Sequence, residues 1–210
     1  MSVEPREVIS DVAALRAVIG EPNDVVPTKI APALNQHTRR FVELSPFHLL
    51  STAGADGTCD VTPRGDPPGS VRILDERTLL LPERPGNRLA DALRNLLENP
   101  HVGLLFLVPG VTDTLRVNGR ARIVTDVELL APCAVEGKTP KLALLVDVDE
   151  VYTHCSKAFL RSQLWDPARH VDRSELPTNG EIMASLNETI DAETYEAERA
   201  ERYARREGFY

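Results

Sequence analysis

Residues 70–108 read SVRILDERTLLLPERPGNRLADALRNLLENPHVGLLFLV, and the order of elements in this stretch decides the fold. Short apolar runs bounded by turn residues predict strands at Ser70–Leu74, Thr78–Pro82 and His101–Val108. Leucines at helical spacing predict a helix that begins near Asn87 and ends at Asn99, before a proline. This order is not the regular alternation of strand and helix that forms a parallel sheet.

The flanking sequence has the same pattern of short predicted strands. Further strands are predicted near Phe47–Ala53, Thr58–Thr62, Thr114–Thr125 and Lys141–Val151. Helices are predicted over Val8–Ile19, Leu34–Leu44, Cys155–Leu164 and Asp191–Glu207. Strands in this number with one helix between them predict a β-barrel with a helix at its opening. We expect one domain, in which N-terminal helices (1–45) pack on a barrel (46–170) that is followed by a helical tail (171–210).

The composition is that of a soluble globular protein, with 42% hydrophobic and 27% charged residues. A net charge of -8 disfavours nucleic acid and anionic membranes as partners, because both repel an acidic surface. No apolar run approaches the roughly 20 residues that cross a bilayer, and the three cysteines form no CxxC pair. We therefore expect a cytoplasmic protein without a disulfide framework.

Arginines concentrate in the middle of the chain and suggest a small anionic ligand, since a guanidinium matches phosphate and carboxylate oxygens. The stiff loop at 60–69 carries Arg64 and Asp66, and is either a binding loop or a surface turn in which these two residues pair with each other. Arg72, Arg84 and Arg88 lie near the predicted helix start and could converge on one phosphate. The alternative is that all three are ordinary surface arginines.

Two later segments also concentrate polar side chains. In the predicted strand at 115–122, alternation places four of them on one face: Arg116, Asn118, Arg120 and Arg122. Residues 152–165 contain His154, Cys155, Lys157, Arg161 and the only tryptophan, Trp165. No second cluster of His or Cys lies at ligand spacing, so we expect no metal site. Cys-His nucleophilic catalysis is not supported either, because adjacent strand residues point to opposite faces.

Taken together, these segments resemble the pyridoxamine 5'-phosphate oxidase-like superfamily of FMN-binding split barrels, and in particular a bacterial branch of uncharacterised FMN-dependent enzymes. The resemblance runs from about Phe41 to Trp165. It is carried by the order of FVELSPFHLLST, DVTPRGDPPGSVRIL, LLLPERPGNRLADALRNLLENPHVGLLF, TLRVNGRARI and YTHCSKAFLRSQLW. It implies a Greek-key split β-barrel with FMN at a homodimer interface.

The resemblance also implies the residues of the site. Those that it implies for FMN are Val71, Arg72, Ile73, Leu81, Pro82, Asn87, Arg88, Arg116, Asn118, Arg161 and Trp165. Arg64 and Arg84 are added to the expected cofactor-binding residues from the loop and the helix start described above. His154 and Lys157 are the expected catalytic residues, and the partner subunit closes the site in such dimers. Thr114 stands where the oxidases commonly carry Gln, which weakens the assignment of Arg116 and Asn118.

The activity implied is oxidoreduction of an unidentified small molecule, with NAD(P)H as a candidate electron donor. Oxidation of vitamin B6 itself is not expected, since residues 172–210 lack the Arg-x-His element that binds the substrate phosphate in the oxidases proper. Two alternatives stay open on the same barrel. One is a non-catalytic protein that binds flavin, haem or another tetrapyrrole, and the other is a deazaflavin-dependent reductase.

Overall fold

The computed structural model describes residues 4–5 and 7–210, which form a curved antiparallel sheet with helices around it. The strands are β1 (Phe47–Ala53), β2 (Cys59–Gly65), β3 (Arg72–Ile73), β4 (Thr78–Pro82), β5 (His101–Leu107), β6 (Thr114–Val124) and β7 (Ala143–His154). The helices are α1 (Val12–Ile19), α2 (Val25–Thr28), α3 (Gln36–Leu44), α4 (Asp91–Glu98), α5 (Val127–Leu130), α6 (Lys157–Ser162), α7 (Asn179–Leu186) and α8 (Ala192–Ala204).

The seven strands hydrogen-bond in the order β2-β1-β5-β6-β7-β4-β3, and every pair is antiparallel. This is the predicted split-barrel, α+β fold. The strands predicted at 47–53 and 78–82 have the predicted bounds, and the predicted helix between β4 and β5 is present as α4. None of the described helices is long and apolar enough to span a membrane.

The core lies on the inner face of the curved sheet. In β1 every second residue is buried, and the same alternation places Leu104 and Phe106 of β5 and Leu115 and Val117 of β6 in one cluster. The amphipathic helix α4 adds Ala92 and Leu96 to this cluster, and α3 adds Val42. By contrast, α1 buries none of its residues.

Strand β2 is longer than predicted because Pro63 does not end it. β2 is an edge strand that pairs only with β1, and a proline on an edge strand removes no hydrogen bond from the sheet. Strand β3 is shorter than the predicted Ser70–Leu74, since only Arg72 and Ile73 pair with β4. The prolines and glycine of residues 67–69 hold the chain before β3 in a turn.

The predicted helix start near Asn87 was wrong, because α4 begins at Asp91. Arg88 and Ala90 have φ values of 66° and 59°, in the left-handed region that interrupts a helix. The Asn87 side chain accepts a hydrogen bond from the Leu89 N–H (3.0 Å), which stabilises a turn in place of a helical turn. Arg84 and Arg88 therefore lie in a loop ahead of the helix.

The last third of the chain holds one α-helix that the sequence did not predict. Helix α7 packs on α8, and a Cβ at Gly180 would overlap the carbonyl oxygen of Ala192. The N–H of Gly180 donates to the Glu196 carboxylate at 2.7 Å. The predicted helices over Cys155–Leu164 and Asp191–Glu207 are present but shorter, as α6 and α8.

Strands β6 and β7 have a register shift at Asn118/Gly119 that depends on a residue without a side chain. A Cβ at Gly119 would overlap the backbone carbonyl of Asp147, whereas a Cβ at Gly103 would be 3.7 Å from its nearest atoms. We predict that Gly119→Ala lowers the free energy of unfolding by about 1–3 kcal/mol, the usual cost of overpacking. Thermal unfolding measures this as a fall of at least about 3 °C in Tm.

Gly103→Ala is the control, because it adds the same methyl group at ordinary van der Waals distance in the adjacent strand. An equal Tm for both variants would contradict the close approach of Gly119 to the Asp147 carbonyl at the register shift.

Candidate functional site

A cavity of about 410 Å³ lies between the two ends of the sheet. One side is formed by residues around the start of β1 and the end of β2, and the other by the end of β4 and the loop that follows. Ser70 and Val71 line it ahead of β3, and residues 208–210 lie against it from beyond α8. Its volume is within the range of small-molecule sites.

Two ion pairs cross between the two sides of this cavity. Arg64 of β2 pairs with Glu83 (Nη1 to Oε2, 2.5 Å), and Arg84 pairs with Asp66 (Nε to Oδ2, 2.6 Å). A second Arg84 nitrogen, Nη2, donates to the carbonyl oxygen of Cys133 at 3.0 Å. The four charged side chains are only 13–22% exposed, so these pairs are shielded from solvent.

His48 lines the cavity from β1 and is 8% exposed. Its ring lies 5.1 Å from that of Phe106, centroid to centroid. Burial, and secondarily the positive charge of Arg64, lowers the pKa of His48 to about 4. The imidazole is therefore neutral near pH 7, with one nitrogen able to donate and one able to accept a hydrogen bond.

Three buried atoms of cavity-lining residues have no hydrogen-bond partner within the described chain: His48 Nε2, Arg64 Nε and Asp66 Oδ1. A buried polar atom without a partner costs about 1–3 kcal/mol. Unpaired donors and acceptors gathered beside one cavity are a common feature of ligand sites, where the ligand supplies the missing partners.

The structure places four of the predicted cofactor-binding residues around this cavity: Arg64, Val71, Pro82 and Arg84. Leu81 lines a small adjoining cavity together with His48 and Arg64, and Ile73 packs against the core. Arg72, Asn87 and Arg88 are exposed and do not belong to the lining of either cavity. The surface turn with an Arg64–Asp66 pair is not observed, since each residue pairs across the cavity instead.

The three arginines expected to converge on a phosphate differ in their surroundings. Arg84 is held by Asp66 and Cys133, and its positive charge is compensated. Arg72 and Arg88 make no ion pair with any residue the structure describes. These two guanidinium groups are the ones free to meet an anion.

The remaining predicted residues lie on β6, at the end of β7 and beyond it. Arg116 donates to the Tyr152 hydroxyl at 2.7 Å, and Asn118 donates to Glu150 at 3.0 Å. Arg120 and Arg122 on the same face pair with Asp149 and Asp147, so this basic face is matched by acids of β7.

His154 ends β7, with its ring 5.1 Å from that of Tyr152. Burial, then the charges of Arg116 and Lys29, lower the pKa of His154. Trp165 stacks on Phe159 and donates to the Val111 carbonyl oxygen at 2.9 Å, while Lys157 and Arg161 are exposed on α6. Within the described part of one chain, the cavity lining does not include this group.

Sequence reasoning did not assign His48, Glu83 or Tyr210 to the site, and it named Asp66 only as part of the candidate loop at 60–69. For His48 a signal existed, because a histidine at a buried position of an alternating strand is unusual. For Tyr210 there was none, since no local pattern brings residues beyond α8 back to the barrel.

Comparison with known proteins gives one family match and several structural neighbours. The profile of the family described as pyridoxamine 5'-phosphate oxidase matches residues 34–155, more than half of the chain. No curated protein matches the sequence.

Three solved structures illustrate the structural neighbours. A putative pyridoxamine 5'-phosphate oxidase from Lactobacillus delbrueckii is 22% identical, with a TM-score of 0.46 over 58% of this chain and 95% of that one. HupZ of Group A Streptococcus is 17% identical, with a TM-score of 0.47 over 57% and 93%. A protein from Clostridium acetobutylicum related to general stress protein 26 is 16% identical, with a TM-score of 0.43 over 56% and 85%.

The neutral state of His48 predicts a specific pH dependence of stability. Below pH 6.5 His48 is protonated in the unfolded chain, whereas in the folded chain it stays neutral until about pH 4. The free energy of unfolding therefore falls as the pH falls through this window. Between pH 8 and pH 5 this residue should account for a loss of about 2 kcal/mol. His48→Phe should remove that part of the loss, as measured by denaturant unfolding at both pH values.

His37→Ala is the control, since His37 is an exposed histidine on α3. If His48→Phe and the wild type lose the same stability between the two pH values, the assignment of a buried neutral imidazole fails.

Proposed function

Because the chain belongs to the pyridoxamine 5'-phosphate oxidase family, we propose that it is an FMN-dependent oxidoreductase acting on a small molecule. The observation that carries the proposal is the cavity at the split of the barrel. It is lined by four of the residues expected to bind FMN, and three buried polar atoms of its lining lack partners.

The residues present fit this cofactor. A phosphate needs positive charge that is not already compensated. Arg72 and Arg88 would provide it, since both are exposed and follow the lining residues Val71 and Gly86 by one and two positions. The unpaired Arg64 Nε and Asp66 Oδ1 offer a donor and an acceptor, as the polar edge of a flavin ring requires. Val71, Ile73, Leu81 and Pro82 would supply apolar contacts. When bound, FMN supplies a ring that accepts a hydride and later returns the electrons to an acceptor.

The predicted site residues at the end of β7 and beyond it have their proposed role in a homodimer. In one chain they lie outside the cavity lining, so we propose that His154, Lys157, Arg161 and Trp165 complete the site of the partner subunit. The lowered pKa of His154 keeps its imidazole neutral, able to accept a proton from the substrate. Lys157 would provide positive charge beside the ring. NAD(P)H is the proposed electron donor.

Loss of Arg88 should weaken FMN binding. We predict that Arg88→Ala raises the Kd for FMN about ten- to a hundredfold, the value of one charged hydrogen-bonding group, and that adding Arg72→Ala raises it further. Quenching of FMN fluorescence during titration measures the Kd. Arg77→Ala is the matched control, because Arg77 is an exposed arginine in the nearby turn before β4, with no ion pair in the described chain. An unchanged Kd in Arg88→Ala would count against this phosphate site.

Catalysis is tested on the FMN-loaded protein under anaerobic conditions. NAD(P)H should bleach the visible flavin absorbance, and addition of an acceptor should restore it. Retention of the oxidised spectrum with every donor would indicate a flavin-binding protein without turnover. Purification of the protein with haem, or with a deazaflavin in place of FMN, would overturn the cofactor assignment.

A further inference from the structure

Four side chains that do not line the cavity meet on the outer face of the sheet: Lys29, Arg116, Tyr152 and His154. Arg116 of β6 is the cross-strand partner of Tyr152, and His154 lies two residues further along β7, so the three share one face. Val151 is buried in the core, which places the adjacent Tyr152 on the opposite side of the sheet. The face that carries this group is therefore separate from the core.

The segment ahead of α3 brings Lys29 to this face. Ala31 and Val151 exchange two backbone hydrogen bonds, of 3.0 and 2.8 Å, beyond the part of β7 that pairs with β4. Lys29 Nζ donates to the carbonyl oxygen of Thr153 at 3.1 Å and lies 5.3 Å from the centre of the Tyr152 ring. The exposed lysine is thus held in place from both its backbone segment and its side chain.

Both cations keep hydrogen-bond donors that a ligand can use. Arg116 Nη1 donates to the Tyr152 hydroxyl at 2.7 Å, and the guanidinium carbon lies 5.3 Å from the centre of the Tyr152 ring. Neither Arg116 nor Lys29 makes an ion pair with residues 4–5 or 7–210. A guanidinium has five N–H donors and an ammonium three, so most of these donors remain available.

The acids of the described chain leave this positive charge uncompensated. Glu150, on the same face of β7, accepts a hydrogen bond from Asn118 at 3.0 Å. The charges of Arg116 and Lys29 both act on His154, where they lower its pKa after burial, and no described carboxylate offsets them there. His154 Nε2 is buried and lacks a hydrogen-bond partner among the same residues. Two free cations beside a neutral imidazole with an unpaired nitrogen favour an anionic ligand.

We propose that Lys29 and Arg116, beside His154, bind a carboxylate or phosphate group of the small-molecule substrate. The subsite rests on the proposed function, in which His154 accepts a proton from the substrate. It adds the class of that substrate, a small anion, and a binding residue from the segment ahead of the barrel, Lys29. The negative charge of the ligand raises the pKa of His154, so the bound substrate makes the imidazole a better proton acceptor.

NMR of the full chain labelled at histidine tests the proposal, with acetate and inorganic phosphate as the probes. The chain has five histidines, and the signals of His154 are those lost in His154→Gln. We expect either anion to move these signals to saturation, and acetate to raise the pKa of His154, relative to chloride at matched ionic strength. Signals of His154 that respond to neither anion would overturn the inference.

The role of Lys29 is tested with three variants. Lys29→Met removes the charge and keeps an unbranched side chain, so it should weaken the binding of both anions at least about tenfold, the value of one charged hydrogen bond. Lys29→Arg keeps the charge and should bind nearly as well as the wild type. Lys141→Met is the matched control, because Lys141 is an exposed lysine without an ion pair in the part of the chain that the structure describes. Equal affinities in Lys29→Met and Lys141→Met would contradict the assignment of Lys29.

Repeating the titration with saturating FMN separates the two sources of such an anion, the substrate and the phosphate of FMN. Acetate that still binds at His154 in the FMN-loaded protein supports a substrate subsite, whereas displacement of acetate by FMN would assign these cations to the cofactor and overturn the proposal. A protein that binds acetate at His154 but does not bind FMN would overturn the proposed function and leave the anion site standing. A protein that binds FMN while His154 responds to neither anion would do the reverse.

Discussion

The two ion pairs that cross the open edge of the sheet are the constraint on which the site depends. A seven-stranded sheet whose end strands are β2 and β3 does not close by backbone hydrogen bonds. Arg64–Glu83 and Arg84–Asp66 connect the β2 side to the residues after β4. Loss of one member would leave its partner as a shielded charge without compensation, which typically costs about 3–5 kcal/mol when the pair is fully buried. Closure by side chains instead of a continuous sheet leaves room for a cavity.

The same closure determines the electrostatics of that cavity. Each guanidinium that holds the edges together is matched by a carboxylate, so Arg64 and Arg84 add little net positive charge to the cavity. The positive field of Arg64 also helps to keep His48 neutral. In the proposed FMN complex, phosphate recognition is therefore left to exposed arginines that do not line the cavity.

Local patterns predicted the fold well, because alternation and turn residues act within a few positions. The bounds of β1 and β4, and the presence of α4 between β4 and β5, follow from such patterns. The extension of β2 through Pro63 does not, since it depends on β2 being an edge strand. The start of α4 was misplaced because Arg88 and Ala90 adopt left-handed backbone conformations, which these residue types do not predict.

The site was predictable only in part, because its pairings join positions far apart in the sequence. The loop at 60–69 was identified as a candidate, yet Arg64 and Asp66 have partners about 20 residues away, which no spacing rule gives. The placement of Tyr210 depends on an α7–α8 hairpin of which only α8 was predicted.

The separation of the two groups of predicted residues explains why one chain is a poor candidate for a complete active site. The cavity draws its lining from the edges of the sheet, whereas Arg116 and His154 belong to β6 and the far end of β7, near the middle of the strand order. In one chain Arg116 is engaged by Tyr152, and Trp165 by Val111. The proposal that one cofactor contacts both groups therefore assigns them to different subunits, so the expected homodimer and the expected list of site residues depend on each other.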